Sequence, residues 1–212
     1  NRVERYTYTN DALTQKLIII DRIPGASTHD GGAIAFGPDN KLYITTGDAG
    51  NADSAQDTTS LSGKILRVND DGTIPTDNPF KNAVYSYGHR NPQGITWDDT
   101  QRLWSTEHGP SGPATGRDEL NLIEAGANYG WPVITGDETR NNMRTPIAQS
   151  GDKETWAPGA IAHSNGTLYF TGLRGQALYA ASIADGEDAP PSVTLERHFS
   201  NKYGRLRGAA IH

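Results

Sequence analysis

The chain has no cysteine and only one methionine among its 212 residues. That rules out a disulfide framework, a thiolate zinc cluster and thiol chemistry. Long apolar runs are also missing. The longest, Leu17-Ile18-Ile19-Ile20, has the length of a strand and falls far short of the ~18 residues of a membrane-spanning helix. Positive charge is scarce, with 19 Lys and Arg against 25 Asp and Glu, a net charge of −6. Without a basic stripe to neutralise phosphates, the composition argues against a nucleic-acid partner. No Lys/Arg block marks a membrane-surface helix either, so membrane insertion is not expected.

What the chain does have is 24 glycines and 12 prolines beside a 34% apolar content. These residues break helices and make tight turns, so many short strands are expected and the fold class reads as all-β. The length suits one large all-β domain or two small ones. The chain opens on Asn1 and stops in mid-pattern at Gly208-Ala209-Ala210-Ile211-His212, so it reads as a processed, trimmed or partial chain.

After two strands near 3–9 and 17–20, a pattern recurs. Gly32-Ala33-Ile34-Ala35-Phe36, the turn at 37–40 and Leu42-Tyr43-Ile44-Thr45-Thr46 form its first copy. Gly94-Ile95-Thr96-Trp97 with Leu103-Trp104-Ser105-Thr106, then Gly159-Ala160-Ile161-Ala162 with Leu168-Tyr169-Phe170-Thr171, repeat it. Gly208-Ala209-Ala210-Ile211 opens a fourth copy. Each unit predicts a hairpin of a Gly-led strand and a Leu-aromatic strand, and further strands follow at 63–68 and 175–180. Repeats of ~50–65 residues with about four short strands each fit propeller blades better than a sandwich. Residues 1–212 thus read as one partial β-propeller domain of roughly three to four blades. Its innermost strands are expected near 32–36, 94–97, 159–162 and 208–211. Residues 118–124 are expected to form at most a turn or two of helix, and the polar segment 136–153 a surface excursion or lid.

In a propeller, residues just before each innermost strand converge on the channel mouth. Here those are His29, Arg90-Asn91-Gln93, Trp156 and Arg205 to Arg207. An imidazole at such a rim can serve as a general base near neutral pH, although most histidines are structural. Arg90, Arg174, Arg205 and Arg207 would repel one another unless a small polyanion separates them or Asp118, Glu107 or Asp30 pairs with them. The Gly109-Pro110 turn can aim carbonyls at a hard cation, and Asp118-Glu119 with Asn128-Tyr129 offers further oxygens. Asn69-Asp70-Asp71-Gly72-Thr73 lacks the spacing of an EF-hand and reads as a hairpin turn. Tyr129, Trp131 and Trp156 are candidate stacking platforms, buried blade aromatics being the ordinary alternative.

Several segments together carry a specific resemblance. His29-Asp30-Gly31-Gly32, Thr46-Gly47-Asp48, Gly63-Lys64-Ile65-Leu66-Arg67, Gly88-His89-Arg90-Asn91-Pro92-Gln93-Gly94, Glu107-His108-Gly109-Pro110, Asp118-Glu119-Leu120-Asn121 and Asn128-Tyr129-Gly130-Trp131-Pro132 occur in that order. From about Gly25 onward the chain resembles the soluble glucose/sorbosone dehydrogenases, aldose sugar dehydrogenases that depend on pyrroloquinoline quinone (PQQ).

The resemblance implies a six-bladed propeller, periplasmic or secreted, that oxidises C1 of aldoses to lactones and passes electrons to an external acceptor. It implies that His29 is the general base and that Arg90 and Asn91 contact PQQ and stabilise its developing charge. It also implies that Gln56, Trp156, Arg174, Arg205 and Arg207 contact the cofactor, whose three carboxylates suit an arginine cluster. Gly109 and Pro110 would give carbonyl ligands to the PQQ-bound calcium, and Glu119 and Tyr129, the latter through its carbonyl, would hold a second calcium. Thr28, Arg174 and His163 replace an acid, a Lys and a proline found in other members. Two other functions stay open from the residues: a calcium-dependent lactonase-type propeller, and a non-catalytic sugar-binding or interaction propeller.

Overall fold

The Gly-led and Leu-aromatic segments pair as hairpins, and each hairpin grows by two more strands. In the computed structural model, which describes residues 1–110, 116–187 and 189–211, the chain opens with the hairpin β1 (Val3–Thr9) and β2 (Ala12–Ile20). Three four-stranded antiparallel sheets follow. The first contains β3 (Ile34–Phe36), β4 (Leu42–Thr46), β5 (Lys64–Val68) and β6 (Val84–Tyr87) in sequence order. The second contains β7 (Pro92–Trp97), β8 (Leu103–Glu107), β9 (Glu119–Ile123) and β10 (Ala148–Gln149). The third contains β11 (Pro158–Ser164), β12 (Thr167–Gly172), β13 (Leu178–Ala184) and β14 (Ser192–His198). One short 3-10 turn, Ala52–Gln56, lies between β4 and β5.

Strand alternation sends neighbouring side chains to opposite faces, and each face packs against the next sheet. Leu42, Ile44, Leu66 and Val68 meet Ile19 and Ile23 on one side of the first sheet. From its other side, Tyr43 and Ile65 meet Ile95, Leu103, Ile123 and Tyr129. Trp104 and Leu120 of the second sheet then meet Ile161, Leu168 and Phe170 of the third. Because both faces are covered, β4, β5 and β8 are buried along their whole length. Each fully buried aliphatic or aromatic side chain in these layers contributes roughly 1.5–3 kcal/mol. The result is a β-propeller-like stack of three four-stranded sheets and a hairpin.

The leading glycines have a steric reason. A Cβ on Gly94 would lie 2.7 Å from the Gly159 carbonyl oxygen, and one on Gly159 would lie 2.6 Å from that of Arg207. The strand entries of successive blades therefore touch backbone to backbone. Thr106 Oγ1 donates to Gly159 O at 2.8 Å, and Thr171 Oγ1 donates to Arg207 O at 3.0 Å. These bonds tie each blade to the segment that follows.

Two sequence expectations change and one is refined. Residues 119–123 form strand β9, because Leu120 and Ile123 supply the buried face that a polar helical turn would lack. The 136–153 segment is exposed at 137–142, as a surface excursion, and is tied back to its sheet where β10 pairs with β9 and Arg117 holds Glu138 and Asp152. Residues 208–211 form no strand, and no described strand pairs with them. The preceding residue, Arg207, nevertheless docks on β11 through its carbonyl, which accepts from Ala160 N at 3.1 Å. No α-helix occurs among the described residues, and none there is long and apolar enough to cross a membrane.

Candidate functional site

His29 sits where the chain enters the first blade and holds a left-handed backbone, φ 62°. That conformation is uncommon outside glycine and costs energy unless the surroundings enforce it. Here they do: Ala49 N donates to His29 O, and Gly47 packs so tightly that a Cβ there would strike the same carbonyl. The imidazole Nδ1 lies 2.8 Å from Asp48 Oδ1, with the ring about one-fifth exposed and the carboxylate 2% exposed. Asp48 is held further by Gly50 N on Oδ1 and by Trp131 Nε1 on Oδ2, each within 2.9 Å. A buried, fully bonded carboxylate on Nδ1 fixes the tautomer that leaves Nε2 as the basic nitrogen.

Arg90 and Asn91 approach the same place from the entry to β7. Asn91 Oδ1 accepts from Gly31 N at 3.1 Å and from Gln93 Nε2 at 2.9 Å, which joins the His29 loop to the second blade. Arg90 O accepts from Asp48 N, and the guanidinium reaches His108 O at 3.3 Å and lies 5.4 Å over the Trp131 ring. Burial pulls the Arg90 pKa below its usual value, against the attraction of Asp48, Glu107 and Asp118. His108 is likewise depressed by burial, and its Nε2 meets Pro158 O. The structure thus brings His29, Arg90 and Asn91 into one network. It adds Asp48 and gives Trp131 a polar role beyond that of a stacking platform; the Thr46-Gly47-Asp48 and Asn128-Tyr129-Gly130-Trp131-Pro132 runs were their visible signals.

Beside Arg90 is a narrow cavity of ≈ 10 Å³, about the room for one water-sized particle, lined by Gly109, Pro110, Glu119, Tyr129, Glu107 and His108. Glu107 and Glu119 stand directly opposite each other on β8 and β9. Like charges in that relation are unfavourable. Glu107 is compensated by His89 Nδ1 at 2.8 Å and by the Arg90 and Asn91 amides. Among the described residues Glu119 has no charged partner and accepts only from Asn121 Nδ2 at 3.1 Å and Gly136 N at 3.2 Å; burial first, and then Glu107, push its pKa up to about 8. The Tyr129 hydroxyl is engaged by Leu122 O and Glu124 N, so only its carbonyl is available as a donor. Among the described residues no three acidic or imidazole side chains are arranged to hold a metal ion by themselves. The donor set that remains, backbone carbonyls beside an uncompensated carboxylate, has the oxygen chemistry of a hard-cation site.

The other expected site residues are placed differently. Gln56 bonds the Trp131 carbonyl, at 2.6 Å, and Asn128. The Trp156 ring is 3% exposed within the blade core, against Phe170 and Tyr179, and its amide donates to Asp118. Arg174, Arg205 and Arg207 are exposed and make no ion pair with a described residue. The carboxylates offered as partners for the arginines are otherwise engaged. Asp118 accepts from the Gly109, Trp156 and Ala157 amides, and Asp30 accepts from Asn1 and Ala26.

Known proteins share this fold. The structure superposes on an oxidoreductase of Thermus thermophilus described as a glucose dehydrogenase, with TM-score 0.90, 41% identity, and 97% of this chain and 64% of that one covered. It superposes on the PQQ-bound form of the aldose sugar dehydrogenase of Streptomyces coelicolor with TM-score 0.87, 40% identity, and coverage of 97% and 61%. The quinoprotein glucose dehydrogenase B of Acinetobacter calcoaceticus is 36% identical over 63% of this chain and 32% of its own length. The chain spans about a third to a half of the length of the curated relatives it matches. The model of the Glucose / Sorbosone dehydrogenase family matches residues 1–210, and the chain belongs to that family.

Proposed function

We propose that the full-length protein is a PQQ-dependent aldose dehydrogenase, an exported six-bladed propeller that oxidises C1 of a cyclic aldose to the lactone. The observation that carries this reading is the His29–Asp48 pair beside Arg90, next to a cavity where buried Glu119 faces Glu107 without a charged partner of its own among the described residues. Asp48 orients the imidazole, and His29 Nε2 takes the proton of the C1 hydroxyl. The C1 hydrogen leaves with its electron pair, so substrate loses one hydride and one proton in all. PQQ, when bound, supplies the acceptor for that hydride, and an external acceptor later removes the electrons. Arg90 and Asn91 stabilise negative charge as it develops, an electrostatic role best performed in a buried site. Arg174, Arg205 and Arg207, exposed and without an ion-pair partner among the described residues, are the groups that would attract a small polycarboxylate. The Gly109 and Pro110 carbonyls would hold a calcium ion against the cofactor, and Glu119 with the Tyr129 carbonyl would hold a second.

The test is reconstitution of the full-length protein with PQQ and calcium, followed by dye reduction with a panel of aldoses. Aldose-dependent, PQQ-dependent reduction is expected. No reduction, together with calcium-dependent lactone hydrolysis, would replace this reading with the lactonase one.

A further inference from the structure

Trp131 touches both charged ends of the site. Its indole N–H donates to Asp48 Oδ2 at 2.8 Å, across 83 positions of sequence. The other Asp48 oxygen takes His29 Nδ1 at 2.8 Å. The face of the same indole carries the Arg90 guanidinium, 5.4 Å from the ring centroid. Its main chain is fixed at both ends, with Trp131 N donating to Gly88 O at 2.9 Å and Gln56 Nε2 donating to Trp131 O at 2.6 Å. Gly88 makes this approach possible: at φ 77°, a Cβ there would lie 2.2 Å from Asn128 Oδ1 and 2.7 Å from Gly130 N.

We infer that Trp131 is a positioning residue that keeps the base-orienting carboxylate and the charge-stabilising guanidinium apart while holding each in place. This rests on the proposed dehydrogenase reading. The physical need is plain. Asp48 and Arg90 are close enough for the carboxylate to bear on the guanidinium. Asp and Arg free to turn toward each other form a bidentate pair, which would spend the charge of both. With Oδ2 bonded to the indole, that oxygen is committed, and Oδ1 remains for the imidazole. With the guanidinium 5.4 Å over the ring and bonded to His108 O at 3.3 Å, it is held by contacts other than the carboxylate. A tryptophan present only for packing would not need its N–H on a buried carboxylate. Near His29 stand Asp48, bonded to it, Asp30, which is turned to Asn1 and Ala26, and Arg90, which lies over the indole.

Trp131→Phe keeps a ring under Arg90 and removes the N–H; Trp131→Leu removes both. In Trp131→Phe, Asp48 loses a donor that withdraws its charge, so the ring 15N shifts of His29, which report its tautomer and its hydrogen bond in the cofactor-free full-length protein, are expected to change. In the reconstituted enzyme the acid limb of kcat/KM should move up by roughly 0.5–1 pH unit, with kcat down roughly tenfold and PQQ affinity unchanged. Trp131→Leu should in addition weaken PQQ binding roughly tenfold, because Arg90 loses its platform. Far-UV circular dichroism and Tm identify variants that have kept the fold. A folded Trp131→Phe protein with the wild-type His29 ring shifts and acid limb would overturn the inference. If the reconstituted wild type oxidises no aldose, the dehydrogenase reading fails, and the His29 ring shifts of the cofactor-free variant still decide the coupling.

Discussion

His29 Nδ1 lies 2.8 Å from Asp48 Oδ1, and the imidazole that Asp48 holds is carried on a backbone at φ 62°. Strain at the residue and a buried bond on its ring both act to aim Nε2 outward. Asp48→Asn keeps the size and one hydrogen-bonding atom but can donate to Nδ1, which favours the wrong tautomer. The expected outcome is a fall in kcat of about 10²–10⁴-fold, the span general-base catalysis covers, with KM little changed. Steady-state dye reduction by the reconstituted full-length protein measures both. An Asn variant with wild-type kcat would remove the pair from the mechanism.

The close approach of Gly94 to Gly159 gives a prediction about stability. Neither residue has a positive φ, so their cost of substitution is steric alone. In Gly94→Ala the new methyl would sit 2.7 Å from Gly159 O, 2.8 Å from Thr106 Oγ1 and 2.9 Å from Ile161 N. Backbone cannot yield as a side-chain tip can, so destabilisation of about 2 kcal/mol or more is expected, in the range of overpacking. Gly208→Ala meets nothing within 4 Å and should be neutral. Urea midpoints of the two variants make the comparison; equal midpoints would mean that the blades are not packed entry to entry.

The repeat of Gly-led and Leu-aromatic segments made the hairpins legible, because alternation and turn residues are local signals. Strand β9 was harder to see: Glu119 and Asn121 look helical or loop-like until Leu120 and Ile123 are known to face neighbouring sheets. In the site, His29, Arg90 and Asn91 stood out because each precedes a strand that enters the centre. Asp48 did not, since its role depends on Trp131, 83 residues away, and such pairings leave no periodic trace. Trp156 is legible only in part. Its position before β11 suggests the rim, while the packing of its ring against Phe170 and Tyr179 depends on a sheet whose pairing the local sequence does not show.

Glu119 faces Glu107 across β8 and β9 with its pKa pushed up to about 8, so a cation bound there would replace the missing charge. Calcium should therefore raise the Tm of the full-length protein at pH 8.5, and EDTA should reverse the gain. In Glu119→Gln the metal-free Tm should equal or exceed that of the wild type, because the like-charge pair is gone. The calcium-induced gain should shrink at the same time. Equal calcium shifts in the two proteins, read by scanning fluorimetry, would exclude Glu119 as a ligand.

Lys64 is wholly buried, and its ammonium is surrounded by three carbonyls, Ser54 at 2.8 Å, Ala55 at 3.0 Å and Ser62 at 2.5 Å. It thereby fixes the 3-10 turn that ends in Gln56, which in turn clamps Trp131. Burial lowers its pKa to about 8 from an ordinary value of 10.5. The folded protein thus releases this proton near pH 8, while the unfolded chain keeps it to about 10.5. Over that window the unfolded state binds more protons, so the group's contribution makes stability rise with pH, by at most about 1.4 kcal/mol per unit. Below pH 8 the contribution is flat. Lys64→Met should be less stable at pH 7, since carbonyls left unpaired cost about 1–3 kcal/mol each. The difference between wild type and variant should then widen from pH 8 to 10.5, because only the wild type gains from releasing the proton. Denaturant midpoints of both proteins across that range provide the measurement. Parallel curves would show that Lys64 does not titrate there in the folded state.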